Sequence, residues 1–190
     1  MDRRRFLHGS SLTALGLLAS AGAKAEVLRA GNFVSLKCLG AANGPRFLDG
    51  RTGDGTVGLA PAILGHFTGT RWQVWAGGGQ ILLKCMGAVE GPRWLDGRTG
   101  NGAVGLAPDN KHQFTGTHWR VHPMDGANPD IVALECLGTA PGPRWLDGRT
   151  GDGTVGLAPS TNPPFTGTRW EAAFYPVQID PGSEGHPASN

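Results

Sequence analysis

The chain has 190 residues, with 17 Lys+Arg against 15 Asp+Glu, a formal charge of +2, 32 glycines and only three cysteines. Such a length and an ordinary hydrophobicity suit one globular domain with a real core and argue against a disordered chain. Abundant glycine and few Lys- or Glu-rich helical stretches favour short strands joined by tight turns, so the expected class is all-β.

Residues 1–25, MDRRRFLHGSSLTALGLLASAGAKA, combine a basic start, a modest apolar run and a small-residue cleavage pattern at Ala23-Lys24-Ala25. Arg3-Arg4-Arg5-Phe6-Leu7 resembles the twin-arginine export signal, although Asp2 and His8 depart from its usual residues. The alternative is an ordinary secretory signal with a basic start. Either implies a periplasmic or secreted bacterial protein. The stretch from Leu12 to Ala23 falls well short of the roughly 20 apolar residues needed to span a bilayer, so no membrane span is expected. Without this segment, 17 less 4 leaves 13 basic residues and 15 less 1 leaves 14 acidic ones, a formal charge of −1. Nucleic-acid binding loses its electrostatic footprint.

The remaining chain repeats itself. Gly44 to Pro61 reads GPRFLDGRTGDGTVGLAP, Gly91 to Pro108 reads GPRWLDGRTGNGAVGLAP, and Gly142 to Pro159 reads GPRWLDGRTGDGTVGLAP. After five dissimilar residues, each copy continues as Phe-Thr-Gly-Thr-x-Trp, at Phe67 to Trp72, Phe114 to Trp119 and Phe165 to Trp170. The copies span about 27–78, 79–128 and 129–177 of a domain at 26–178, and residues 179–190 form a Pro/Gly/Ser-rich tail that is expected to be loose.

Each copy reads as about four strands. In the first, alternation puts Val34, Leu36 and Cys38 on one face, and likewise Ile81, Leu83 and Cys85, and Val132, Leu134 and Cys136. The second strand centres on Leu48, Leu95 or Leu146. The third centres on Val57-x-Leu59, Val104-x-Leu106 or Val155-x-Leu157, after an Arg-Thr-Gly-Asp/Asn-Gly turn. The fourth starts at Trp72, Trp119 or Trp170, all assigned to the core, as are Phe67, Phe114 and Phe165. Trp75 occurs once and receives no role.

Three such copies, each too small to bury its own apolar face, would pack together and close a ring that removes exposed sheet edges. The pattern resembles the β-trefoil and, within it, the ricin B-type lectin domain. Leu48-Asp49, Asp54-Gly55-Thr56, Val57-Gly58-Leu59 and Thr70-Arg71-Trp72, with their counterparts in copies two and three, match that family's repeat. The resemblance implies a carbohydrate-binding module whose aspartates Asp49, Asp96 and Asp147 accept hydroxyl hydrogen bonds. The family's aromatic platform is missing, because its position holds Ala60, Ala107 or Ala158. Alternation on the second strand offers a substitute by placing Phe47, Asp49 and Arg51 on one face, as it does Trp94, Asp96 and Arg98, and Trp145, Asp147 and Arg149. An aromatic suits the C–H face of a sugar ring, while carboxylate and guanidinium suit its polar groups. The plainer alternative is that these residues cover the barrel end and tie hairpins together.

Other chemistries find less support. Cys38, Cys85 and Cys136 at threefold-related inward positions cannot all pair, so buried free thiols are expected. No Cys-x-x-Cys or Cys/His spacing suggests zinc, and the Asp-Gly-Arg-Thr-Gly-Asp-Gly loop lacks the EF-hand spacing, so no metal or other cofactor is expected. The six histidines do not recur at one position, and no nucleophile motif occurs, so the chain is read as non-enzymatic. The expected partner is a glycan or cell-surface polysaccharide bound by a monomer. Alternatives are a protein-binding or protease-inhibiting trefoil using the dissimilar segments Ala62 to His66, Asp109 to Gln113 and Ser160 to Pro164, or a structural envelope protein.

Overall fold

Twelve short strands carry the alternation expected from the sequence. They are β1 (Phe33–Cys38), β2 (Phe47–Arg51), β3 (Thr56–Ala60), β4 (Trp72–Gly77), β5 (Gln80–Cys85), β6 (Trp94–Arg98), β7 (Ala103–Ala107), β8 (Trp119–Pro123), β9 (Ile131–Cys136), β10 (Trp145–Arg149), β11 (Thr154–Ala158) and β12 (Trp170–Phe174). The structure, a computed structural model, describes residues 26–176. The export-signal segment 1–25 and the tail 179–190 lie outside the described residues.

All pairings are antiparallel, and they close. The ring runs β1–β4–β5–β8–β9–β12 and back to β1. The hairpins β2–β3, β6–β7 and β10–β11 stand on this ring, and their second strands pair in a triangle, β3 with β7, β7 with β11 and β11 with β3. A closed antiparallel barrel of this kind leaves few unpaired backbone groups along its edges. Between the hairpin and the last strand of each copy sits a one-turn 3-10 segment, Thr68–Thr70, Thr115–Thr117 or Thr166–Thr168.

The core follows the period-2 pattern. Val34, Leu36, Leu48, Leu83, Leu95, Leu134, Leu146 and the three cysteines are fully buried, as are Trp72, Trp119 and Trp170. Each tryptophan also satisfies its one donor, since its Nε1 donates to the carbonyl of Leu48 (3.0 Å), Leu95 (3.1 Å) or Leu146 (2.9 Å). A buried indole with a partnered N–H suits a core position that the hydrophobic pattern alone would give to leucine.

The copies interlock through their thiols. Cys38 donates to Gly148 O (3.3 Å), Cys85 to Gly50 O (3.3 Å) and Cys136 to Gly97 O (3.2 Å), so every cysteine reaches the preceding copy and the first reaches the third. A Cβ on Gly50 would lie 2.8 Å from Cys85 Sγ and 3.0 Å from the Trp72 ring, which explains the glycine of the LDG sequence. Burial pushes the Cys85 thiol up to about 11 and raises Cys38 and Cys136 as well, so all three remain protonated and unreactive in the folded chain.

The first arginine of each motif is a structural clamp. Arg144 donates to Cys136 O (3.1 Å), Gly138 O (2.8 Å) and Ala140 O (3.2 Å), and Arg46 and Arg93 repeat the arrangement. It folds the loop after the first strand of each copy back against the second. That loop forms one lip of the site described next.

Candidate functional site

The second strand of each hairpin-bearing unit projects its alternate residues outward. Along β6, Leu95 and Gly97 are buried, Trp94 and Asp96 are half-buried and Arg98 is exposed, and β2 and β10 follow the same order with Asp147 buried at 8% exposure. The face expected from the sequence is therefore the face observed. Asp49, Asp96 and Asp147 lie across from Gly58, Gly105 and Gly156 in the hairpin register, where a Cβ would crowd a carbonyl of a neighbouring copy and the guanidinium of Arg51, Arg98 or Arg149. The other wall is the 3-10 turn: a Cβ on Gly116 would lie 2.6 Å from Asp96 Oδ1 and 2.1 Å from Gly97 O.

In the second copy this arrangement opens into a cleft of about 230 Å³, lined by Asp96 and Arg98 from β6, by Gln113 and Phe114 before the 3-10 turn and Thr115 at its start, and by Thr139 from the following copy. Thr115 Oγ1 accepts from Thr139 N at 3.3 Å, which fixes the lip. Counterpart residues by repeat are Asp49, Arg51, Phe67 and Thr68 in the first copy, and Asp147, Arg149, Phe165 and Thr166 in the third.

Two expectations change here. Phe67, Phe114 and Phe165 are half-buried rather than core residues, each held just before its 3-10 turn, and Phe114 lines the cleft. The hydroxyls of Thr70, Thr117 and Thr168 donate to their carbonyls at 2.8 Å and secure that position. Conversely, the aromatics Trp94 and Trp145 share a strand face with Asp96 and Asp147 but turn toward the barrel wall. The Trp94 ring stacks edge-on against Trp75 (5.6 Å between centroids) under the Lys84 ammonium, and Trp145 against His122 (4.9 Å). Phe47 stands opposite Lys37 at the same junction. The aromatic beside the carboxylate is thus the phenylalanine 18 residues downstream, which strand alternation cannot reveal.

The electrostatics single out the three carboxylates. Burial pushes Asp49, Asp96 and Asp147 above the ordinary carboxylate value, and Arg51, Arg98 and Arg149 pull in the opposite direction. Arg98 Nε lies 3.9 Å from Asp96 Oδ2, at the limit of an ion pair. No hydrogen bond to any of the three carboxylates occurs among the described residues, although desolvated acceptors ordinarily find donors. By contrast, Asp54 and Asp152 sit in the exposed turn, where the hydroxyl and N–H of Thr56 or Thr154 hold them below the usual range. The turn aspartates are satisfied; the cleft aspartates have acceptor capacity to spare.

Three larger grooves adjoin the 3-10 turns, and here the copies differ. One of about 490 Å³ has Leu64, Thr68, Arg71, Met86 and Tyr175 on its walls, with the Arg71 guanidinium 4.2 Å from the Phe33 ring centroid. Another of about 400 Å³ has Lys111, His112, Thr115 and His118, and the third, about 380 Å³, has Met124, Pro163, Phe165 and Arg169. Among the described residues no cluster of three metal-ligating side chains occurs, and no helix is long and apolar enough to cross a membrane.

No protein-family model and no curated protein matches the sequence. Solved structures do. The fold is similar to that of the ricin B-like lectin of Macrolepiota procera in complex with lactose, at 17% identity and a TM-score of 0.56 over 77% of this chain and 98% of that one. It is also similar to a salivary protein of the Cysteine and Tryptophan-Rich family from Culex quiquefasciatus (16%, 0.53, 76% and 94%). A third likeness is to the GlcNAcα1-4Gal-releasing endo-β-galactosidase from Clostridium perfringens (16%, 0.59), where 76% of this chain matches 33% of that one. At these identities the likeness establishes an all-β fold shared with ricin B-like lectins, and fold alone does not fix function.

Proposed function

We propose that the chain is a β-trefoil of the ricin B-like kind that acts as an exported, non-enzymatic and multivalent glycan-binding module. The observation that carries this reading is the half-buried Asp96 carboxylate, lacking hydrogen-bond donors, in an open cleft beside Phe114, Gln113 and two threonine hydroxyls. A sugar supplies what such a site lacks, since vicinal hydroxyls donate to the carboxylate while a C–H face rests on the ring. Recurrence as Asp49 with Phe67 and as Asp147 with Phe165 gives three sites on one rigid body, and weak sites gain avidity on a repetitive polymer. The strand ring, the three hairpins and the sequence repeat support the trefoil. The twin-arginine-type segment supports export to the periplasm or beyond, where cell-surface polysaccharide is the accessible partner.

A glycan array on the protein tests the reading. Binding is expected to fall stepwise as Asp49→Asn, Asp96→Asn and Asp147→Asn are combined, because the amide keeps the shape and replaces one acceptor by a donor. Absence of any glycan signal, or binding indifferent to the triple variant, would sink it. A protein-binding function has one observation in its favour: the groove beside Ala62 to His66 is larger than the cleft, and Leu64 is 44% exposed on it. A protein partner whose capture survives the triple variant but is lost when residues 62–66 are exchanged for 109–113 would favour that alternative.

A further inference from the structure

The three walls of the barrel share one backbone pairing and carry different outward side chains. On the β12–β1 wall, Lys37 faces Glu171 across the strands at 3.4 Å. On the β8–β9 wall, Glu135 faces Arg120 at 3.0 Å, and His122 Nε2 lies 2.8 Å from the same carboxylate oxygen. On the β4–β5 wall the residue opposite Lys84 is Gln73, and no carboxylate lies within ion-pair distance of Lys84 among the described residues. Two walls thus carry an opposite-charge pair, and the third gives up that cross-strand stabilisation.

The wall with the unpaired cation also carries the exposed indole. Trp75 is 47% exposed, and its counterparts three residues beyond Trp119 and Trp170 are His122 and Ala173. Its Nε1 donates to Gln73 Oε1 at 3.1 Å, which orients the ring. Trp94 meets it edge-on at 72°, and the Lys84 ammonium stands 5.7 Å from the Trp94 centroid. An aromatic corner with a positioned, unneutralised ammonium calls for a ligand that has an apolar face and a negative charge.

We propose that this wall is a subsite for a carboxylate-bearing sugar, a uronic or sialic residue, and that it extends the Asp96 cleft along β6. The inference rests on the glycan-binding reading. Trp94 and Asp96 lie two residues apart on one strand face, roughly 7 Å, so the aromatic corner and the cleft carboxylate are within reach of one short oligosaccharide. Charge sets its direction. In the cleft the Arg98 guanidinium already faces the Asp96 carboxylate at 3.9 Å, whereas at Lys84 an acidic unit meets an ammonium with no such partner, so the neutral unit occupies the cleft and the acidic one the wall. The other walls offer no such place, because Glu171 and Glu135 already neutralise their cations.

The test compares carboxylate-bearing oligosaccharides, oligogalacturonate, oligomannuronate and sialyllactose, with their methyl esters by calorimetry on the full chain at low and high salt. At least one acid is expected to bind about tenfold more tightly than its ester, with the preference shrinking at high ionic strength. Lys84→Gln should abolish the preference and leave ester binding unchanged. Trp75→Ala should weaken acid and ester alike, and His122→Ala on another wall should change neither. Equal binding of acid and ester, or a preference that survives Lys84→Gln, overturns the subsite and leaves the Asp96 cleft standing if Asp96→Asn still abolishes binding. No binding of any sugar overturns both. A Trp75-dependent dimer that sugars do not compete away also overturns it and identifies the patch as a self-association surface.

Discussion

The hairpin clefts and the barrel walls are made by the same three copies, yet they answer to different constraints. In the clefts, the Asp96 carboxylate abuts Gly116 on the 3-10 turn, and Gly69 and Gly167 crowd Asp49 and Asp147 in the same way. Steric room there is so limited that each copy must use glycine where the chain approaches itself. On the walls, side chains point to open solvent from paired strands, and the sequence is free to place Trp75, His122 or Ala173 at one equivalent position. Threefold likeness therefore marks where the backbone is crowded, and specificity for a single ligand feature can arise only where it is not.

The comparison can be broken most severely in the cleft. Gly116→Ala pushes a methyl against the Gly97 carbonyl and Asp96, and a loss of about 3 kcal/mol is expected in denaturant melts. On the wall, a Cβ at Gly77 meets nothing within 4 Å, so Gly77→Ala should leave the midpoint within about 0.5 kcal/mol of the parent. Equal effects of the two would refute the assignment of crowding to the cleft.

A smaller effect comes from the cleft carboxylates and changes with pH. Their folded-state pKa is raised, so the protonated form is favoured by folding: the contribution is fully present below the unfolded carboxylate range and is lost as pH rises through the raised value. At neutral pH each ionised carboxylate is then a burden, reduced by solvent screening to less than about 1 kcal/mol. The triple Asp→Asn variant should accordingly equal or exceed the parent in stability at pH 7, with its advantage shrinking in melts at pH 3, while it loses glycan binding.

The turn aspartates act in the opposite sense. Asp54 and Asp152 are held low by threonine donors, so their contribution is present above the unfolded carboxylate range and disappears as pH falls through the lowered value. Asp54→Asn combined with Asp152→Asn should flatten the acid limb of the stability curve. The second copy, with Asn101 donated to by Ala103 N at 3.0 Å, already has the non-titrating version. The smallest effect is expected from Trp75→Ala, within about 0.5 kcal/mol, since the indole is 47% exposed, and its loss should be seen in ligand binding rather than in melts.

Most of the frame was legible in the sequence because it depends on local rules. Period-2 alternation identified Leu36, Leu83 and Leu134 as core and put Asp49 with Arg51 on the opposite face from Leu48. Turn chemistry placed Gly55, Gly102 and Gly153 at positive φ, 75° in each. What escaped depends on contacts between segments distant in the chain. Phe114 reads as core alongside Trp119 of the same motif, but it reaches the cleft through a 3-10 turn that no alternation describes. Trp94 looked like a partner for Asp96, yet its neighbours Trp75 and Lys84 come from β4 and β5. Arg46 and Arg51 are both simply arginines of one motif until the carbonyls around the first are seen.

The thiol-to-carbonyl contacts have a consequence for how the molecule comes apart. Cys85 seats on the first copy, Cys136 on the second, and Cys38 returns to the third, so the chain of contacts has no terminal member. An open array of repeats can fray from its ends because a terminal unit has one neighbour. Here every unit has two, and opening any one of them exposes faces of both others, so the three copies are bound to melt as a single cooperative transition.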